Sequence, residues 1–134
     1  MSNKQKDRQD QEKLYHLIKG LDGIATNTPV ALGRQFIELY RDDIRYAYEA
    51  KRWLVYDEDS LRWKYDHNEV VMAAKLRRMG QMYRSMMANM DPKHWMWKNL
   101  LRVLKMVEGE KAKSIKREAS REVGVSISMA DLDQ

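Results

Sequence analysis

Nine cations recur at helical spacing in the second half of the chain and pose the first chemical question. Lys98, Arg102 and Lys105 stand at i, i+4 and i+7; Lys113, Arg117 and Arg121 at i, i+4 and i+8; Arg77 and Arg84 share one face with Arg78 beside them. On helices this spacing stacks charge along one side, where each cation can neutralise a phosphate and release the counterions condensed on a polyanion. The balance of signs sharpens the reading. Residues 67–121 hold 13 Lys or Arg against 5 Asp or Glu, whereas residues 1–66 hold 12 of each and residues 122–134 hold none against 3. A helix face that merely meets water usually mixes both signs, and here acids are scarce. The same stripes also suit the polar side of any amphipathic helix, and that plainer account stands beside the first.

Other chemistries lack their residues. The glycines, at positions 20, 23, 33, 80, 109 and 124, form neither a phosphate loop nor a dinucleotide fingerprint. With no cysteine there is no thiolate ligand, disulfide or thiol nucleophile. His16, His67 and His94 are too widely spaced for a helical metal motif. Asp57, Glu58 and Asp59, with Asp42 and Asp43 upstream, offer carboxylates to a divalent cation, but a solvated turn is the better reading. No catalytic, cofactor or metal residue is expected in this chain.

The elements that must position the cations follow from periodicity. A polar tail over 1–12 precedes a short helix carrying Leu14, Leu17, Ile18 and Leu21, and a linker runs to Val30. A helix is expected over 31–41 with Leu32, Phe36 and Leu39/Tyr40 on one side. Alternating Ile44, Tyr46 and Tyr48, the run Trp53 to Tyr56, and Leu61 to Trp63 predict two or three antiparallel strands. Met72, Leu76, Met79, Tyr83, Met86 and Met90 then form an apolar seam on a helix over 68–88, with Asn68 as its N-cap. Asp91-Pro92 predicts the start of the next helix, whose long face is Trp97, Leu101, Leu104 and Val107 or Glu108, widened by Leu100 and Val103. A last helix over 110–122 turns Ala112, Ile115 and Ala119 inward, and Gly124 precedes an extended Val125 to Met129. The expected class is α+β, predominantly α: a helix bundle with a small antiparallel β-hairpin. The methionine seam and the tryptophans read as core or helix-contact residues, or as an adaptable partner surface.

At 134 residues with 43% hydrophobic and 34% charged content, the chain suits one globular domain. No apolar run is long enough to cross a bilayer, and no apolar stretch follows the N-terminal charges, so a cytoplasmic protein is expected.

Asp42-Asp43-Ile44-Arg45-Tyr46, then Lys51-Arg52-Trp53-Leu54-Val55-Tyr56-Asp57 and Arg62-Trp63, resemble the signature of the amino-terminal domain that precedes the superfamily-three helicase core in phage, plasmid and poxvirus primase-helicases. The closing Val125-Ser126-Ile127 through Asp131-Leu132-Asp133 is similar to the end of that domain, so the likeness spans about 31–133. Asp57-Glu58-Asp59-Ser60 replaces the family's Asp-Gly turn, which suggests a longer loop. The layout is then a tail over 1–12, a helix and linker over 13–30, the family-like domain over 31–124 and an extended segment over 125–134. The resemblance implies a non-catalytic, DNA-contacting assembly module in DNA replication, with DNA, helicase or primase domains and further copies of itself as partners. It carries over no catalytic residue. The alternative is a free-standing mobile-element protein that binds a replication or host protein through its Met and Trp surface.

Overall fold

Thr28 and Pro29 together start the first helix. The Thr28 side chain accepts the Ala31 backbone N–H at 3.1 Å, and Pro29 occupies the first helical position, where its missing N–H costs nothing. Helix α1 therefore spans Pro29–Tyr40, two residues earlier than expected, and Pro29 belongs to the helix rather than the linker. The computed structural model describes residues 28–122, 124–128 and 130, together with Gln5, Arg8, Gln9 and Glu12. The expected first helix over Leu14 to Leu21 lies outside the described residues.

Three strands follow: β1 (Ile44–Ala47), β2 (Arg52–Asp57) and β3 (Arg62–Tyr65), paired antiparallel in sequence. Both connections are four-residue loops, 48–51 and 58–61. Each closes on a residue in the left-handed region, Lys51 at φ 54 and Leu61 at φ 56. The turn after Asp57 is thus the longer loop anticipated from the missing glycine. A fourth strand, β4 (Ser126–Ile127), pairs in parallel with β1, and the Tyr46 N–H donates to the Val125 carbonyl at 2.9 Å. The sheet order is β3-β2-β1-β4. Cross-strand rings brace it: Tyr46 meets Trp53 at 5.1 Å and Tyr56 meets Trp63 at 5.4 Å, both edge to face.

After a 3₁₀ turn (His67–Glu69), helix α2 spans Val70–Ala88. Asn68 does not cap it. Asn68 and Glu69 both have φ 55, and the cap is Asp66, whose two carboxylate oxygens accept the Val71 and Met72 N–H groups at 2.9 and 2.8 Å. The carboxylate also sits at the positive end of the helix dipole. Helix α3 spans Trp97–Glu108, five residues beyond the expected start at Pro92. Asp91 does receive the Lys93 N–H on its side chain at 2.9 Å and the His94 N–H on its carbonyl at 2.8 Å, but these bonds close a turn rather than a continuing helix. Helix α4 (Ala112–Ser120) completes the bundle.

The α+β class, predominantly α, is what the structure shows. α1 packs chiefly on α4, and α2 on α3. The core joins Phe36, Ile37 and Tyr40 of α1, Met72, Met79 and Tyr83 of α2, Leu100 and Val103 of α3, Ile115 of α4, and Val125. The seam of α2 holds at Met72, Leu76, Met79 and Tyr83, but then shifts to Met87, with Met86 and Met90 only half-buried. On α3 the inward face is Leu100, Val103, Leu104 and Val107. Leu101 is exposed and Trp97 half-buried, so the inward stripe is centred on Leu100 and Val103, the residues expected only to widen it, with Leu104 and Val107 beside them. Inside the core the Tyr83 hydroxyl donates to Gln35 Oε1, and burial holds the phenol's ionisation well above its ordinary range.

Candidate nucleic-acid interface

The 3₁₀ turn, the β1–β2 hairpin and α4 enclose a cleft of about 450 Å³. The αL residue Lys51 ends the hairpin loop and delivers itself and Arg52 to the rim. α4 contributes Lys113, Lys116, Arg117 and Ser120, which stand at i, i+3, i+4 and i+7 and therefore on one face. α4 can present that face because Ile115 and Ala119 on the opposite side are fully buried against the core. Trp53 and Tyr46 form the inner wall, with Asp66, Asn68 and Glu69 on the third side.

The electrostatics are one-sided. Five cations line the cleft against two carboxylates, a formal excess of three positive charges. Both carboxylates are already engaged: Asp66 caps α2, and Glu69 stands 3.6 Å from Lys116 Nζ. Lys51, Lys113 and Arg117 have no ion-pair partner among the described residues. The Arg52 guanidinium lies 4.1 Å over the Tyr65 ring, a contact that fixes its direction without neutralising it. Three of the four non-glycine residues with positive φ, Lys51, Asn68 and Glu69, border this one cleft. Backbone in that region costs energy for residues with a Cβ, and it concentrates where a structure holds groups for use.

Of the nine cations read from the sequence, only Lys113 and Arg117 reach this cleft. Lys98, Arg102 and Lys105 are exposed together on the outer side of α3, opposite its buried face. Arg77 is exposed on α2, and Arg78 is half-buried there. Arg84 makes a bidentate pair with Glu108 of α3, at 2.8 and 2.6 Å, which pulls that carboxyl below its ordinary range. Arg121 is just past the end of α4 and pairs with Glu118 at 3.3 Å. The structure therefore divides the expected surface into a cleft, an α3 stripe and residues spent on carboxylates.

Lys51, Arg52, Lys116 and Ser120 escaped the spacing argument. The i+3 step from Lys113 to Lys116 was a usable signal, but Lys51 and Arg52 are brought to α4 only by the tertiary fold. Elsewhere, Asp57 takes Lys64 Nζ at 2.7 Å and the Ser60 hydroxyl at 2.8 Å, bonds that hold its carboxyl down at about 2. Among the described residues no helix is long and apolar enough to cross a membrane. Comparison with protein-family models, with curated proteins and with solved structures found no match for this chain.

Proposed function

We propose that this chain is a non-catalytic nucleic-acid-contacting and assembly module of a phage or plasmid DNA-replication primase-helicase. The observation that carries the reading is the cleft, where five cations converge and both neighbouring carboxylates are engaged. The exposed Lys98, Arg102 and Lys105 on α3 supply a second phosphate-facing stripe. Contacts of this kind position a backbone rather than read bases, so sequence preference is weak and affinity falls steeply with salt. The replication context rests on the sequence resemblance, whose strand motifs occupy β1, β2 and β3.

The test is fluorescence anisotropy of labelled single- and double-stranded DNA at about 50 and 200 mM salt. Tight binding at low salt that weakens strongly at the higher salt supports the reading; absence of binding at low salt overturns it. If the α3 stripe takes part, Lys98→Ala, Arg102→Ala and Lys105→Ala together reduce the salt slope by about two to three.

A second reading, a protein-binding module, is narrowed by burial. Much of the methionine surface is withdrawn, since Met72 and Met79 of the seam are buried, as are Met82, Met87 and Trp53, while Met86 and Met90 stay half-buried. The large apolar side chains left exposed to a protein partner include Trp95, at 68% the one exposed tryptophan among the described residues, and Leu101 at 40%. Trp95→Ala that abolishes association with a replication protein while leaving DNA binding intact favours that role for this patch.

A further inference from the structure

We infer that the cleft selects single-stranded over duplex nucleic acid, seating one nucleotide with its phosphate on Lys116 and its sugar or base against Tyr46. This rests on the nucleic-acid reading above and names the ligand form that the cleft admits. The argument begins with depth. Lys51, Arg52, Lys113 and Arg117 are exposed, but the Lys116 side chain is only 17% exposed and sits inside the cleft with half-buried Tyr46 and buried Trp53. A duplex is a convex cylinder with a regular backbone, and it can touch only the rim cations. A space of about 450 Å³ is at the scale of one small ligand, so a flexible strand can lower a nucleotide into it.

The inner wall supports the same choice. Tyr46 is held by its edge contact with Trp53 at 5.1 Å, and an aromatic ring offers any base or sugar an apolar face without sequence preference. Four of the five cations fall in two sequence groups, Lys51-Arg52 from the hairpin and Lys116-Arg117 from α4, that line the same cleft. Phosphates entering it meet charge from two elements, which a stripe on one helix does not provide.

Glu69 is the competitor for the deepest cation. Its carboxylate stands 3.6 Å from Lys116, beyond a direct hydrogen bond, and is itself 46% exposed. A phosphate arriving at Lys116 displaces an exposed, loosely held carboxylate and regains a direct charge-assisted bond. Removing that carboxylate therefore strengthens single-strand binding more than duplex binding, because only a phosphate seated at Lys116 competes with it directly.

The experiment uses the full chain with a fluorescein-labelled dT oligonucleotide and a labelled DNA hairpin duplex, titrated at low salt. Three proteins are compared: the parent, Lys116→Gln and Glu69→Gln, with circular dichroism showing that each is folded. The expected result is tighter binding to the oligonucleotide than to the duplex. Lys116→Gln should lower single-strand affinity about tenfold while leaving the duplex nearly unchanged, and Glu69→Gln should raise single-strand affinity severalfold. If both DNA forms bind equally and Lys116→Gln weakens both alike, the strand selectivity is overturned while the nucleic-acid reading stands. If neither form binds the parent protein, both are overturned. A Lys116→Gln protein that does not fold leaves the decision to Glu69→Gln, where unchanged single-strand affinity overturns the inference.

Discussion

Among the described residues two glycines lie within helices, and replacing each by alanine should have opposite consequences. Gly33 sits on α1 where α4 crosses it. A Cβ there would stand 2.8 Å from the Ala119 backbone nitrogen and 3.1 Å from the Glu118 carbonyl carbon, both backbone atoms that can yield only if the helices part. Overpacking of this kind costs about 1–3 kcal/mol, and part is recovered because alanine favours helix over glycine by about 1 kcal/mol. The net expectation for Gly33→Ala is a loss of up to about 2 kcal/mol. Gly80 sits on α2 facing α3, where a Cβ would meet Val107 Cγ1 and Glu108 Oε1, both at 3.4 Å. These are side-chain atoms at close to ordinary contact distance, so the helix preference dominates and Gly80→Ala should gain about 0.5–1 kcal/mol. Urea unfolding of the parent and both variants, fitted with a common slope, reads the difference directly. Because α4 carries Lys113, Lys116 and Arg117, Gly33→Ala should also weaken nucleic-acid binding, whereas Gly80→Ala should not. A Gly33→Ala protein as stable as Gly80→Ala would refute the close α1–α4 packing on which the cleft depends.

Three further expectations concern polar groups. Tyr83→Phe removes the hydroxyl that pairs with Gln35, whose Nε2 is already buried without a partner among the described residues, and should cost about 1–2 kcal/mol; Tyr83→Phe with Gln35→Met should recover most of this, as a double-mutant cycle will measure. Asp57 ionises at about 2 in the fold against 3.8 ordinarily, so its contribution is fully present above pH 4 and is lost as pH falls from about 4 to about 2. Thermal melts over that range should show a shallower acid decline for Lys64→Met, which removes the main cause of the low value. Asp66→Ala leaves the first N–H groups of α2 without their carboxylate and should cost about 1–2 kcal/mol by denaturant unfolding, with frayed amides at Val71 and Met72 in hydrogen exchange.

The elements that were legible in the sequence are those fixed by local rules. Alternating Ile44, Tyr46 and Tyr48 and the aromatic run after Arg52 pointed to strands because side chains on a strand separate by face every residue, although β1 ends at Ala47 and leaves Tyr48 exposed in the loop. The seam at Met72, Leu76, Met79 and Tyr83 identified α2 because it repeats at helical spacing. Errors fell where local chemistry had more than one outcome. Asp91-Pro92 has the residues of a helix start, but its bonds to Lys93 and His94 are satisfied by a turn. Asn68 is a favoured cap type, yet its backbone is left-handed and Asp66 reaches the amides instead. The candidate site was least legible. Helical spacing placed Lys113 and Arg117 on one face, but Lys51 and Arg52 join them only through the hairpin docked beside α4, and Arg84 and Arg121 are spent on Glu108 and Glu118. Spacing along a helix says where a charge points, not which charge from another element will meet it.

The pairing of β4 with β1 and the packing of α4 on α1 bear on how this protein reaches its folded state. Tyr46 meets Ser126 across 80 residues of chain, whereas the β1–β2 and β2–β3 hairpins close loops of four. Closing the longer loop costs about 3 kcal/mol more entropy than closing a hairpin, so the hairpins and the α2–α3 pair are expected to form first, and α4 and β4 to dock late. The cleft has walls from both sides of that closure, the hairpin on one and α4 on the other. A chain in which the hairpins and α2–α3 have formed but α4 has not docked carries every one of the cations and none of the concavity.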